Sequence, residues 1–114
     1  MKITALKSFV HTAGNYFVKV ETDEGVHGWG EGTLERHEKA VEAAIHAVAI
    51  RIEGRDPTQV ERLWQSMYRH GFWKGGPVIG SAISALDQAL WDITGKVYNQ
   101  PVYKLLGGQV RDRI

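Results

Sequence analysis

The sequence predicts an α+β domain in which a three-stranded antiparallel meander comes first and a bundle of three to four helices follows. Two observations carry that prediction. Strand-type patterns, rich in β-branched and aromatic residues, are confined to residues 2–30. Apolar stripes at helical spacing begin only after them, and each is separated from the next by glycine or proline. Segregation of strands from helices is what distinguishes this class from alternating α/β folds.

Residues 2–10 read as the first strand, and His11 to Asn15 break it. From Tyr16 to Thr22 the chain alternates, with Tyr16, Val18 and Val20 on one face and Phe17, Lys19 and Glu21 on the other. Asp23-Glu24-Gly25 supplies a turn whose last residue, lacking a Cβ, takes positive φ without a clash. Val26 to Gly30 then returns as the third strand. So small a sheet needs a cover for its apolar face. Val41, Ala44, Ile45, Val48 and Ile52 form the stripe of a first helix, with Thr33 as candidate cap and Gly54 as its end. Asp56, Pro57 and Gln59 read as N-cap, first helical position and capping-box residue of a second helix. Its stripe, Val60, Leu63, Trp64, Met67 and Tyr68, reads as core rather than a ligand cage. Glycines 71, 75 and 76 punctuate a loop carrying Phe72, Trp73 and Lys74. Pro77 opens a third helix with core face Ile79, Ala82, Ile83, Leu86, Leu90, Ile93 and Val97. Its small residues Gly80, Ser81, Ala82, Ser84 and Ala85 allow another backbone to approach. Pro101 starts a last short turn, Val102 to Leu106, closed by Gly107-Gly108.

Composition narrows function by exclusion. The chain has 114 residues, with 14 Lys+Arg against 13 Asp+Glu and a net charge of +1, which argues against an electrostatic nucleic-acid binder. It contains no cysteine, so disulfides, zinc–thiolate sites and a thiol nucleophile are excluded. No apolar run reaches the roughly 18 residues of a membrane span, and Met1-Lys2-Ile3-Thr4 lacks the profile of an export signal. No membrane partner and a cytoplasmic location are expected. Without repeats or linkers, residues 1–114 read as one domain. Val110 to Ile114, ending on an apolar residue after a glycine pair, reads as the approach to another strand, so the chain is expected to be a fragment.

The run Ala82-Ile83-Ser84-Ala85-Leu86-Asp87-Gln88-Ala89-Leu90-Trp91-Asp92-Ile93-Thr94-Gly95-Lys96, followed by Pro101-Val102 and Leu105-Leu106-Gly107, resembles the N-terminal signature of the mandelate racemase and muconate lactonizing enzyme family of the enolase superfamily. Glu21 to Gly25 with Gly28-Trp29-Gly30-Glu31, and Met67-Tyr68-Arg69 with Gly71-Phe72 and Gly75-Gly76-Pro77, resemble its sugar-acid dehydratases of the galactonate type. That resemblance implies an enolase N-terminal-like capping domain in front of a (β/α) barrel. A barrel needs about 250 residues, so it is absent from this sequence. The implied activity of the whole protein is a carbon–oxygen hydro-lyase reaction. A proton is taken from the carbon α to a carboxylate, then water is eliminated to give a 2-keto-3-deoxy acid. Mg2+ and the catalytic groups would belong to the absent barrel, and the segment alone would be inactive. Its implied partners are a small-molecule sugar acid, its own barrel domain and further copies in a homo-oligomer. A racemase or cycloisomerase of the same family, or a freestanding non-catalytic binding module, are the alternatives.

On that reading the domain is a lid, and its candidate substrate-facing residues are Asn15, Tyr16, His70, Trp73 and Lys74. His11 to Asn15 resembles the family's mobile specificity loop; Gly14 suits a hinge or tight turn, and Asn15 offers a donor and an acceptor to a polyol. In the segment His70 to Gly76, Lys74 would attract a carboxylate and Trp73 would exclude solvent. Other polar pairs read as structural. Asp87 and Asp92, five residues apart on a helix, point about 140° apart and do not converge. Glu42 and His46 read as a solvated i,i+4 pair. Glu31 is expected to tie the sheet to nearby backbone amides, and Trp29 to pack or to face a domain seam.

Overall fold

Three consecutive strands form an antiparallel sheet in the order β1-β2-β3, comprising β1 (Ile3–Val10), β2 (Tyr16–Thr22) and β3 (His27–Glu31). The helices follow as α1 (Glu38–Ala49), α2 (Val60–Arg69), α3 (Pro77–Val97) and α4 (Val102–Leu105). The computed structural model describes residues 1–69 and 71–114. The predicted fold class and element order both hold, with strand bounds moved by one residue.

The β2 alternation sets the core. Tyr16, Val18 and Val20 are fully buried beneath α3, while Phe17, Lys19 and Glu21 lie on the outer face. Phe9 stands beside Phe17, and Lys7, Lys19 and Trp29 share one row across the outer face. Lys7 and Lys19 both pair with Glu21, at 2.9 Å, and hold its carboxyl down at about 2. The inner face meets Ala82, Ala85, Leu86, Ala89, Leu90 and Ile93 of α3, with Val41 and Ile45 of α1 and Leu63 and Met67 of α2 completing the core.

The close approach expected at α3 is made with β3, at Ala85 among the small residues and one turn further on at Ala89. A Cβ on Gly30 would overlap the carbonyl oxygen of Ala85, and one on Gly28 would overlap that of Ala89. Glycines at alternate strand positions therefore let the helix sit directly on the strand backbone. Gly80 and Ser84 remain exposed.

Three helix boundaries differ from the sequence reading. Thr33 does not cap α1, because its hydroxyl accepts the Tyr16 N–H at 3.0 Å and donates to Glu31; α1 starts instead after His37 with no side-chain cap. The helix stops at Ala49, and residues 50–54 continue as tight turns that still bury Ile52 completely. Asp56 accepts the Thr58 N–H and hydroxyl in a local turn, so it caps the approach to α2 rather than the helix itself. Gly25 takes φ +80 in the hairpin turn, as predicted.

Candidate functional site at the loop end of the sheet

The ends of β1 and β3, the start of β2 and the start of α3 meet at one pole of the domain. His11 to Asn15 forms a tight turn there: the His11 N–H donates to the Asn15 carbonyl at 2.8 Å, and the Gly14 N–H donates to His11 at 2.9 Å. Gly14, with φ +90, serves that turn. Asn15 donates its amide to Glu31 Oε1 at 3.1 Å, and the same oxygen accepts the Thr33 hydroxyl at 2.7 Å. These two bonds, Thr33 first, hold the Glu31 carboxyl below its ordinary range. Asn15 keeps its amide oxygen without a partner among the described residues, so on this side chain the acceptor function stays open. The structure puts Tyr16 in the core: its ring is 0 % exposed and its hydroxyl lies 2.7 Å from Ser8 Oγ, so it supports the loop from beneath rather than lining its surface.

Glu31 also lines a shallow cleft of about 380 Å³ with Thr33, Pro77, Ser81 and Ser84. That cleft joins the first loop to the base of the second, which ends where Pro77 opens α3. In the second loop Phe72 is 90 % exposed and Trp73 82 % exposed, edge-to-face with centroids 5.2 Å apart. Lys74 is exposed and has no ion pair among the described residues. The first turn of the 21-residue α3 carries no acidic residue. The positive end of a long helix therefore adjoins a lysine without an ion pair among the described residues, and the acid that faces this helix start is Glu31 across the cleft. His70, the remaining sequence candidate, lies outside the described residues.

Sequence reasoning left one group without a role. Gln88 receives the Glu31 N–H on its amide oxygen at 3.0 Å and donates to the Glu31 carbonyl at 3.2 Å. One turn on, Asp92 accepts the Trp29 N–H at 3.0 Å, and Lys96 donates to the His27 carbonyl and to Asp92, each at 2.7 Å. Spacing of four residues along α3 thus provides side-chain partners for the outer edge of β3, and a Gln-Asp-Lys series at i, i+4, i+8 is the signal that points to it. Asp87 is half-buried on α3, with its carboxyl pushed up by burial and by Glu61. Among the described residues no three His, Asp or Glu side chains group as a metal site. No described helix is long and apolar enough to cross a membrane.

With the signature helix seated on a three-stranded meander, the chain belongs to the family of mandelate racemase / muconate lactonizing enzyme N-terminal domains, whose model matches residues 3–107. It is 54 % identical over its whole length to the D-galactonate dehydratase of Ralstonia nicotianae, and 53 % identical to that of Cronobacter sakazakii. It spans 30 % of the length of each of these relatives. Among solved structures, an enolase from Pantoea ananatis with bound D-gluconate and Mg superposes with a TM-score of 0.91 at 42 % identity, covering 97 % of this chain and 28 % of that one. An enolase-superfamily member from Salmonella Typhimurium gives 0.90 at 36 % identity, covering 96 % and 30 %. The fold is that of the capping domain, and the barrel is not in this chain.

Proposed function

We propose that this chain is the substrate-specificity lid of a sugar-acid dehydratase of the D-galactonate type, working in a longer polypeptide that carries the barrel. The observation that supports a lid most directly is the loop of Phe72, Trp73 and Lys74, two aromatic rings and a cation held in solvent beside the start of α3. In this reading Lys74 draws in the substrate carboxylate, Trp73 and Phe72 exclude water, and the open amide oxygen of Asn15 receives a substrate hydroxyl. Tyr16 holds the first loop at the correct height, and His70 acts within the second. Magnesium held by the barrel would supply stabilisation of the enediolate that forms when the α-proton leaves. The 114-residue segment is inactive alone, and the intact protein is a cytoplasmic homo-oligomer.

The racemase or cycloisomerase alternative is less favoured, because the relatives matched over the whole chain are dehydratases. A freestanding binding module is less favoured because its surface at this pole would be polar. The test is the full-length protein with magnesium and D-galactonate, followed by chemical detection of a 2-keto-3-deoxy acid. Epimerised or cyclised product without dehydration would overturn the reading. Lys74→Ala in the same assay is expected to lower kcat/KM about tenfold, the loss of one charge-assisted contact. An unchanged value across a panel of sugar acids removes Lys74 from the site.

A further inference from the structure

A second concentration of unpaired charge lies along α2, whose last residue, Arg69, directly precedes the second lid loop. Arg62 and Arg69 lie seven residues apart on α2, two turns along one face and about 10 Å in rise. Arg55 stands beside them on the turn after α1, where its backbone is fixed by hydrogen bonds to Ile3 and Ile52. The three arginines line one cleft of about 480 Å³, together with Gln65 and Ser66. None of the three has an ion pair or a side-chain hydrogen bond among the described residues. The nearest acids are otherwise engaged: Asp56, which lines an adjoining cleft with Arg55 and Arg62, is held by Thr58, and Glu61 accepts the Gln65 amide at 2.8 Å. In a chain whose charges nearly cancel, three arginines sharing one cleft without a carboxylate in contact are a local excess.

Ser66 adds a neutral donor to the same cleft. It lies on the buried side of α2 beside Leu63 and Met67, is 7 % exposed, and has no hydrogen-bond partner among the described residues. Its hydroxyl is open to solvent rather than stranded in the core, since no buried side-chain oxygen or nitrogen among the described residues lacks a partner. Since Ser66 lines the same cleft, a bound acceptor would meet it there.

We propose that this cleft, lined by α2 and the turn before it rather than by the lid loops, is an anion site for a phosphate-bearing small molecule. Arginine forks match phosphate oxygens in paired hydrogen bonds, and three positive charges favour a dianion over a monocarboxylate sugar acid. The volume fits a phosphorylated sugar or sugar acid, with the phosphate among Arg55, Arg62 and Arg69 and the Ser66 hydroxyl as a neutral donor.

The experiment is calorimetric titration of the full-length protein with inorganic phosphate and, separately, with a hexose monophosphate. The expected result is saturable binding of either one that weakens at least about tenfold in Arg62→Gln and again in Arg69→Gln, while D-galactonate turnover stays unchanged. Equal binding of both ligands assigns the site to phosphate alone, and tighter binding of the ester assigns it to the phosphorylated compound. Each of these supports the proposal. The variants are checked for wild-type Tm, and Ser66→Ala, a smaller change, serves as a further probe expected to weaken binding a few-fold. Absence of saturable binding, or binding unchanged in both arginine variants, overturns the proposal. Because the readout is binding rather than turnover, its failure is distinguishable from failure of the dehydratase reading.

Discussion

The two edges of the sheet are treated in opposite ways. On β3 the outward groups of Glu31, Trp29 and His27 meet Gln88, Asp92 and Lys96, and behind them Gly28 and Gly30 bring the strand onto the backbone of α3. On β1 the register places Leu6, Ser8 and Val10 outward, since His11 and Asn15 form a hydrogen-bonded pair and such pairs alternate. Their backbone groups have no partner among the described residues; only Ile3, at the start of the strand, is bonded outward, to Gly54 and Arg55. The difference teaches where this domain stores its stability. The β3 side is closed by tight packing and satisfied polar groups, and the loop carrying Trp73 and Lys74 lies beyond that closed seam.

The largest break in this asymmetry is Gly30→Val. A side chain driven into the Ala85 carbonyl forces β3 off α3, and loss of folding is expected, read as absence of a cooperative thermal transition. Leu86→Ala, at a fully buried position under the same sheet, is expected to cost about 2–5 kcal/mol in denaturant titration. A loss below about half a kcal/mol would mean that α3 does not carry the core. Gln88→Ala removes two bonds to Glu31 from an exposed side chain and is expected to cost about 1 kcal/mol, with faster amide exchange confined to β3. If exchange rises equally along β1, the two edges are not distinct. At the small end, Trp73→Ala is expected to leave stability within about 0.5 kcal/mol of wild type while lowering turnover by the intact protein.

A titration sharpens the same contrast. The native Glu31 carboxyl lies below its ordinary 4.5, so its contribution to stability is complete above that value and is lost as pH falls through the lowered native one. Glu31→Gln is expected to flatten the acid limb of the stability profile. A side-chain NMR titration of Glu31 with an ordinary midpoint would show that Asn15 and Thr33 do not hold it.

Elements with a strong periodic pattern were legible from the residues alone. The alternation at 16–22 gave β2 and its buried face, and the stripe from Ile79 to Ile93 gave α3. The short cap signals misled because they are local: Thr33 and Asp56 have the right chemistry for helix caps, but their hydroxyl and carboxylate found nearer partners in Tyr16, Glu31 and Thr58. At the candidate site, the exposure of Trp73 and Lys74 was legible because nothing in their pattern supplied a packing partner. The burial of Tyr16 was visible in the β2 alternation, yet its neighbour Asn15 drew it into the loop. Gln88 was missed because its i, i+4, i+8 series with Asp92 and Lys96 takes on meaning only once β3 lies alongside that face of α3.

Backbone contact at Gly28 and Gly30 also sets a limit on motion. Shear, the small sliding of packed elements past one another, is one way in which a domain changes shape. Here β3 and α3 touch backbone to backbone, and the helix is additionally pinned to the strand by Gln88, Asp92 and Lys96. Sheet and long helix must therefore travel as one rigid plate, and any opening or closing over a substrate has to come from the loops at its rim or from rotation of the whole plate.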